Sequence, residues 1–267
     1  MTKRLTIQGL GLVGGFGCGA EALRRALCPP RPGQPPPPLQ APPVDVSRLE
    51  RLVERKSLRR IDHFSRLALL GAFLALEDAA ALTTPRDRMA LILATGYGAA
   101  QTTFAFQDSY LDHGDRCASP THFSTSVHNV AAAGIAITLG LPGPVLTVSQ
   151  FELSTVSALL TASQWLATGR VDRVLFGNVD ECCPVLEYGW ERLREPDPTA
   201  AIPAGHQLRR PPGEGAAFFL LARDDATAPY GGVTDLHLGR LAAGTPPCPP
   251  ASRIILNDQR TLWPHHP

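Results

Sequence analysis

Residues 147–162 read TVSQFELSTVSALLTA. Thr147 and Val148 are β-branched, as strand residues tend to be. From Leu153 to Thr168 small and apolar residues dominate, and Gly169 is placed to end a helix. The junction falls on Glu152, a carboxylate at the head of an almost wholly apolar helix. A strand that runs directly into a buried helix is the repeating unit of an α/β sheet.

The same alternation continues on both sides of this stretch. Upstream, Arg4–Val13 predicts a strand ending in glycines and Ala20–Leu27 a short helix. Pro29–Pro43 is proline-rich and predicts an extended loop, because proline lacks the N–H that helices and central strands need. Leu49–Arg60 has a charged helical pattern, and Phe64–Leu82 is apolar nearly all round, so it predicts a helix buried on more than one side. Met89–Thr95 (MALILAT) is a continuous apolar run, the mark of a central strand covered on both faces. Val127–Leu139 predicts a helix and Gly143–Ser149 a strand. Downstream, Arg173–Val179 predicts a strand, Gly215–Ala222 and Gly232–Gly239 a final hairpin, and Arg253–Asn257 an added edge strand. The expected fold is α/β, a three-layer unit around a mixed sheet. One such unit leaves an apolar helix face exposed unless something else covers it, which argues for a partner.

Composition narrows the function. The hydrophobic fraction of 44% supports one sizeable core. Lys plus Arg (25) nearly balances Asp plus Glu (24), with no basic stripe, so no nucleic-acid partner is expected. Six cysteines, at 18, 28, 117, 182, 183 and 248, have no metal-ligand spacing, and the two histidines of the WPHHP tail are too little for a site. Neither a metal nor a cofactor is expected. MTKR leads straight into a strand pattern without a signal peptide, so the reduced cytoplasm is the expected location. The most apolar run, Leu67–Leu82, contains Glu77 and Asp78, so no membrane insertion is expected.

Six motifs in order resemble the N-terminal half of β-ketoacyl synthases, the thiolase-fold condensing enzymes. IQGLGLVGGFG is similar to the family's opening strand and glycine turn. RRIDHFSRLALLGAFLALEDAA (59–80) resembles its "R-x-D-R-F-S-R-L-A" helix, and ATGYGAA (94–100) its "S-T-G-x-G-G" turn. SPTHFSTSVHNVAAAGIAITLGLPGP (119–144) resembles "S-P-F-x-x-P-x-x-x-x-N", with Asn129 matching, followed by "G-L-x-G-P". PPGEGAAFFLLA (211–222) resembles "G-E-G-A-G-x-L-V-L". The opening stretch falls on the nucleophile motif, "S-T-A-C-x-S". The resemblance implies a thiolase-like fold, N-terminal half only, with a domain over residues 1–244 and an extension over 245–267.

Within that resemblance the register has two anchors. Counting forward from Gly143-Pro144 and back from Gly169, the family's nucleophilic cysteine aligns with Glu152, and Ser149 and Ser154 match family serines. The chemistry needs a thiolate at a helix N-terminus, where backbone N–H groups lower the thiol pKa. A carboxylate there cannot hold a thioester. The half that carries the family's two catalytic histidines is absent, so no catalytic residue is expected here. The implied function is a non-catalytic chain-length-factor-like subunit. It would pair with a full-length ketosynthase as a pseudo-symmetric heterodimer, served by acyl carrier protein, in polyketide or fatty-acid-type synthesis, with aryl polyenes the expected product class. In the family the strand before the nucleophile pairs with its mate, which implies an interface at Val145, Leu146, Thr147, Val148, Ser149 and Asn129. The preceding loop lines the partner's acyl tunnel, which makes His122, Phe123, Ser126 and Val127 gate candidates. Two alternatives stand beside this reading: an acyl-thioester enzyme, such as a malonyl decarboxylase using Glu152, and a homodimeric acyl-binding scaffold.

Overall fold

A computed structural model describes residues 5–27, 43–59, 61–194, 213–223, 228–233 and Leu236. The described elements begin with β1 (Leu5–Gly14), β2 (Gly17–Cys18), α1 (Ala20–Leu27), α2 (Arg55–Leu58) and α3 (His63–Asp78). They continue with β3 (Met89–Thr95), α4 (Ala100–Leu111), α5 (Pro120–Thr125), α6 (Val130–Leu139), β4 (Val145–Ser149) and α7 (Ser154–Ala167). β5 (Arg173–Asp180), α8 (Pro184–Arg194), β6 (Gly215–Arg223) and β7 (Gly232–Val233) complete them.

The strands form one sheet in the order β2-β1-β6-β5-β3-β4, with β7 also paired to β1. β3 runs parallel to both β4 and β5, whereas β6 runs antiparallel to both β5 and β1. All seven residues of β3 are buried, as its unbroken apolar run requires of a central strand. Its side chains alternate between two cores, because successive strand residues face opposite ways. Leu91 and Leu93 join Leu175, Phe218 and Leu220 under α3 and α6. Ala90, Ile92 and Ala94 join Val174, Phe176 and Leu221 under α7. The molecule is therefore the expected three-layer α/β unit with a mixed sheet.

α3 lies at the centre of the first layer, with eleven of its 16 residues buried. The Asp62 carboxylate caps it, accepting from Ser65 N at 2.8 Å and from Ser65 Oγ at 3.0 Å. β1 approaches α3 backbone to backbone, and a Cβ on Gly11 would stand 1.9 Å from the Gly71 carbonyl oxygen.

Several expectations need correction. Gly232–Val233 makes no hairpin with β6; it pairs with Leu5 and Thr6 of β1, because β6 is already flanked by β1 and β5. The continuous helix expected over Leu49–Arg60 is instead a 3-10 turn at Ser47–Arg51 followed by the single turn of α2. Only Leu49 and Leu58 of these two turns are buried, too little apolar surface to hold a longer helix against the core. The proline-rich stretch, apart from Pro43, and the Arg253–Asn257 strand lie outside the described residues. The sequence pattern does not mark α4, α5 or α8.

Candidate functional site

Position 152 sits where the sequence places it, between a strand and a helix. β4 ends at Ser149, a 3-10 turn covers Phe151–Leu153, and α7 begins at Ser154. The side chain of Glu152 itself is outside the described residues. Its neighbours show how the turn is held. Phe151 has φ +48, a left-handed conformation that costs a non-glycine residue about 1–2 kcal/mol. Gln150 N donates to Ser154 Oγ at 2.7 Å. The one proton of that hydroxyl, only 1% exposed, serves either the Thr95 carbonyl at 2.8 Å or the Phe151 carbonyl at 2.6 Å. Ser154 thus ties the turn at 150–153 to the end of β3.

The facing turn follows β3. Asp180, the last residue of β5, accepts from Thr95 Oγ1 at 2.8 Å and from the N–H groups of Gly96 and Tyr97 at 3.0 Å. Burial raises the Asp180 carboxyl above its usual range, while these donors pull it back. Thr95 Oγ1 in turn accepts from Gly98 N at 2.8 Å. Tyr97, presented by this turn, meets Phe151 edge to face with ring centroids 5.9 Å apart. The turns at 95–98 and 150–153 therefore close on each other beside position 152.

The expected gate residues lie on an arm outside the chain's own core. Phe123 is 58% exposed and Val127 45%; His122 is exposed and Ser126 half-buried. α5 carries His122 and Phe123, capped by Ser119 Oγ, which accepts from His122 N at 3.3 Å. The arm rests on α4: Phe106 and Phe123 pack at 5.3 Å, and Thr103 Oγ1 stands 3.1 Å from the Ser126 carbonyl. Its far end meets the Tyr97 turn, since a Cβ on Gly98 would come within 2.8 Å of the His128 ring. Asn129 is exposed at the head of α6.

The expected interface strand is at an edge. Among the described residues β4 pairs only with β3, and its other side is free of strand neighbours. Val145 is 42% exposed; Leu146, Thr147 and Val148 are half-buried, and Ser149 is exposed. Thr147 Oγ1 is buried without a hydrogen-bond partner. The structure thus brings Phe151, Tyr97 and the arm together around position 152, with β4 alongside.

Burial, followed by the nearby Glu187 carboxylate, pushes the Cys182 thiol up to about 12, far from the thiolate. Among the described residues no group of three or more His, Cys, Asp or Glu is arranged to hold a metal ion. No helix among them is long and apolar enough to cross a membrane. No sequence motif marks the contacts of Tyr97, Phe151 and Asp180. An acidic residue closing an apolar strand was the available signal for Asp180.

Residues 31–226 match the family model described as beta-ketoacyl synthase, N-terminal domain. Nodulation protein E of Rhizobium sp. (strain N33) is 28% identical over 250 residues, covering 85% of this chain and 60% of the relative. The chain thus spans about three-fifths of that relative's length. Among solved structures, the ishigamide ketosynthase/chain length factor superposes with a TM-score of 0.64 at 20% identity, over 84% of this chain and 63% of that one. A chain of the complex of ketosynthase ApeO with its chain length factor ApeC, from Xenorhabdus doucetiae, gives 0.59 at 18% identity. That match covers 84% of this chain and 80% of the other, so the two are of similar length. At these identities the likeness to the solved structures is one of fold.

Proposed function

The chain belongs to the β-ketoacyl synthase N-terminal domain family, and we propose that within it this protein is a non-catalytic, chain-length-factor-like partner of an active ketosynthase. One observation carries the reading. A strand, a sharp turn and a helix meet at position 152, the place that the sequence register assigns to the family's nucleophile, and the residue there is Glu152. A carboxylate gains from a helix N-terminus as a thiolate does, but it forms no thioester with an acyl chain. Scaffold without nucleophile fits a subunit whose work is done on its partner.

Two surfaces support pairing. The open edge of β4 is largely apolar and can accept a further strand through its main chain. The arm at residues 119–129 stands outside the chain's own core, with Phe123 and Val127 exposed. In the proposed heterodimer β4 joins the two sheets. His122, Phe123, Ser126 and Val127 meet the partner's acyl tunnel, where an extra methylene in a filled pocket costs about 1–3 kcal/mol. Acyl carrier protein would deliver the chain to the complex, in synthesis of aryl-polyene type.

The test is co-expression with a full-length ketosynthase, purified through a tag on one subunit. The two are expected to co-elute in equal amounts, and the ketosynthase is expected to elongate acyl chains only in the complex. Separate elution, together with a ketosynthase fully active alone, would sink the proposal.

A further inference from the structure

Three titratable side chains from distant parts of the chain meet where α3 begins, β5 ends and β6 begins. His63 Nε2 lies 2.8 Å from Glu214 Oε1. The same carboxylate accepts from Val44 N at 2.8 Å and from Cys182 N at 3.3 Å. Beside it Glu181, 4% exposed, accepts from Gln101 N in the first turn of α4 at 2.9 Å. Among the described residues the cation bridged to Glu214 is a histidine rather than an arginine or lysine. The other nearby charged groups have partners of their own but act on the cluster from outside: Asp62 helps to raise Glu181, and Asp180, the residue before it, holds the turn after β3. Asp62 caps α3, and the Arg66 guanidinium donates to the carbonyls of Leu58 and Ile61. Glu187 of α8 stands 3.6 Å from Cys182 Sγ, whose thiol stays protonated.

We propose that His63, Glu214 and Glu181 form a proton-responsive clasp that holds the N-terminal end of α4, and through α4 the arm at 119–129, and that loosens as it loses protons. The connection runs from Glu181 to Gln101 N, then from Thr103 to the Ser126 carbonyl and from Phe106 to Phe123.

The charges set the direction. Burial pushes Glu181 up to about 7, against the Gln101 N–H that lowers it. The hydrogen bond to Glu214 raises His63 above its ordinary value, although burial opposes this. Burial alone would raise Glu214, but His63 and the Val44 N–H hold it below its ordinary value. In mild acid the cluster therefore carries one positive and one negative charge. As pH rises Glu181 ionises and the raised His63 gives up its proton, which leaves two carboxylates close together out of water. If the clasp opens, Glu181 returns to its ordinary value of 4.5. The closed form thus binds the extra protons, and closure weakens as pH rises from that value through the raised ones. Any effect on a partner rests on the proposed role of the arm; the clasp itself does not.

Hydrogen–deuterium exchange on the isolated chain tests it, read as protection factors so that the intrinsic pH dependence of exchange is removed. Wild type should lose protection over residues 100–103, read apart from Gly96 and Tyr97 whose N–H groups Asp180 holds, by roughly tenfold or more between about pH 5.5 and about pH 8.5, with β3 amides losing much less. Glu181→Gln keeps an acceptor for Gln101 N without the charge and should lose most of that dependence. Equal wild-type protection at both pH values, or the full fall retained in Glu181→Gln, overturns the clasp. The wild-type comparison decides alone if the variant does not fold. Failure of co-elution with a ketosynthase leaves these protection factors untouched, so the two proposals fail separately.

Discussion

α3 and α7 lie on opposite faces of the same sheet, and both are apolar nearly all round in sequence. Their surroundings differ. α3 buries eleven of 16 residues, whereas α7 buries five of 14: Ser154, Ala158, Leu159, Ala162 and Leu166. Val156, Leu160 and Trp165 of α7 remain half-buried. Their starts differ too. Asp62 caps α3 with its carboxylate, whereas the residue before α7, Leu153, makes no side-chain cap. Apolar sequence is a demand for cover; α3 has it met within the chain, and α7 only in part.

The difference can be broken or sharpened by measurement. Leu70, fully buried on α3, should cost about 2–5 kcal/mol on Leu70→Ala in urea unfolding. A loss below about 1 kcal/mol would mean that α3 is no better packed than α7. Next in size is the clasp at the head of α3. Glu181 has its folded pKa raised to about 7 from 4.5, so its folded state holds a proton that the unfolded chain releases. Stability should fall as pH rises across that window, and Glu181→Gln should recover about 2–4 kcal/mol at pH 8 while changing little near pH 4.5. Asp62→Ala removes the α3 cap and should cost about 1 kcal/mol in thermal unfolding. Smallest is Leu160→Ala on α7, expected below about 1 kcal/mol in the isolated chain, because a half-exposed leucine gives up little buried area. In a co-purified complex the same substitution should cost more if a partner covers that face, and no more if α7 stays open.

The fold was legible wherever burial left a periodic mark. β3, β5 and α3 are dense apolar runs, and α1, β1 and α7 fall within a residue of their expected bounds. α4 left no such mark, because only Ala100 and Thr102 of its 12 residues are buried. α8 carries charge along its length and rests little on the core, so its pattern is that of a solvated segment. β7 pairs with β1 rather than β6 because strand order depends on which edges remain open, and no local pattern records that. At the site, two anchors in the chain located the turn around position 152, but its support comes from elsewhere. Asp180 holds the Tyr97 turn across more than 80 residues, and His63 meets Glu214 across 151. Single side chains that meet over such separations leave no periodicity to find.

The side of β4 left without a strand neighbour among the described residues has a consequence for supply. A strand edge with half-exposed valine and leucine, and without an inward lysine or proline to blunt it, is a template on which copies of the same segment can add. Its danger grows with the concentration of uncovered chains. If the proposed partner caps that edge, dosage matters for this protein: chains made in excess of the partner are the ones exposed to self-association and to quality control.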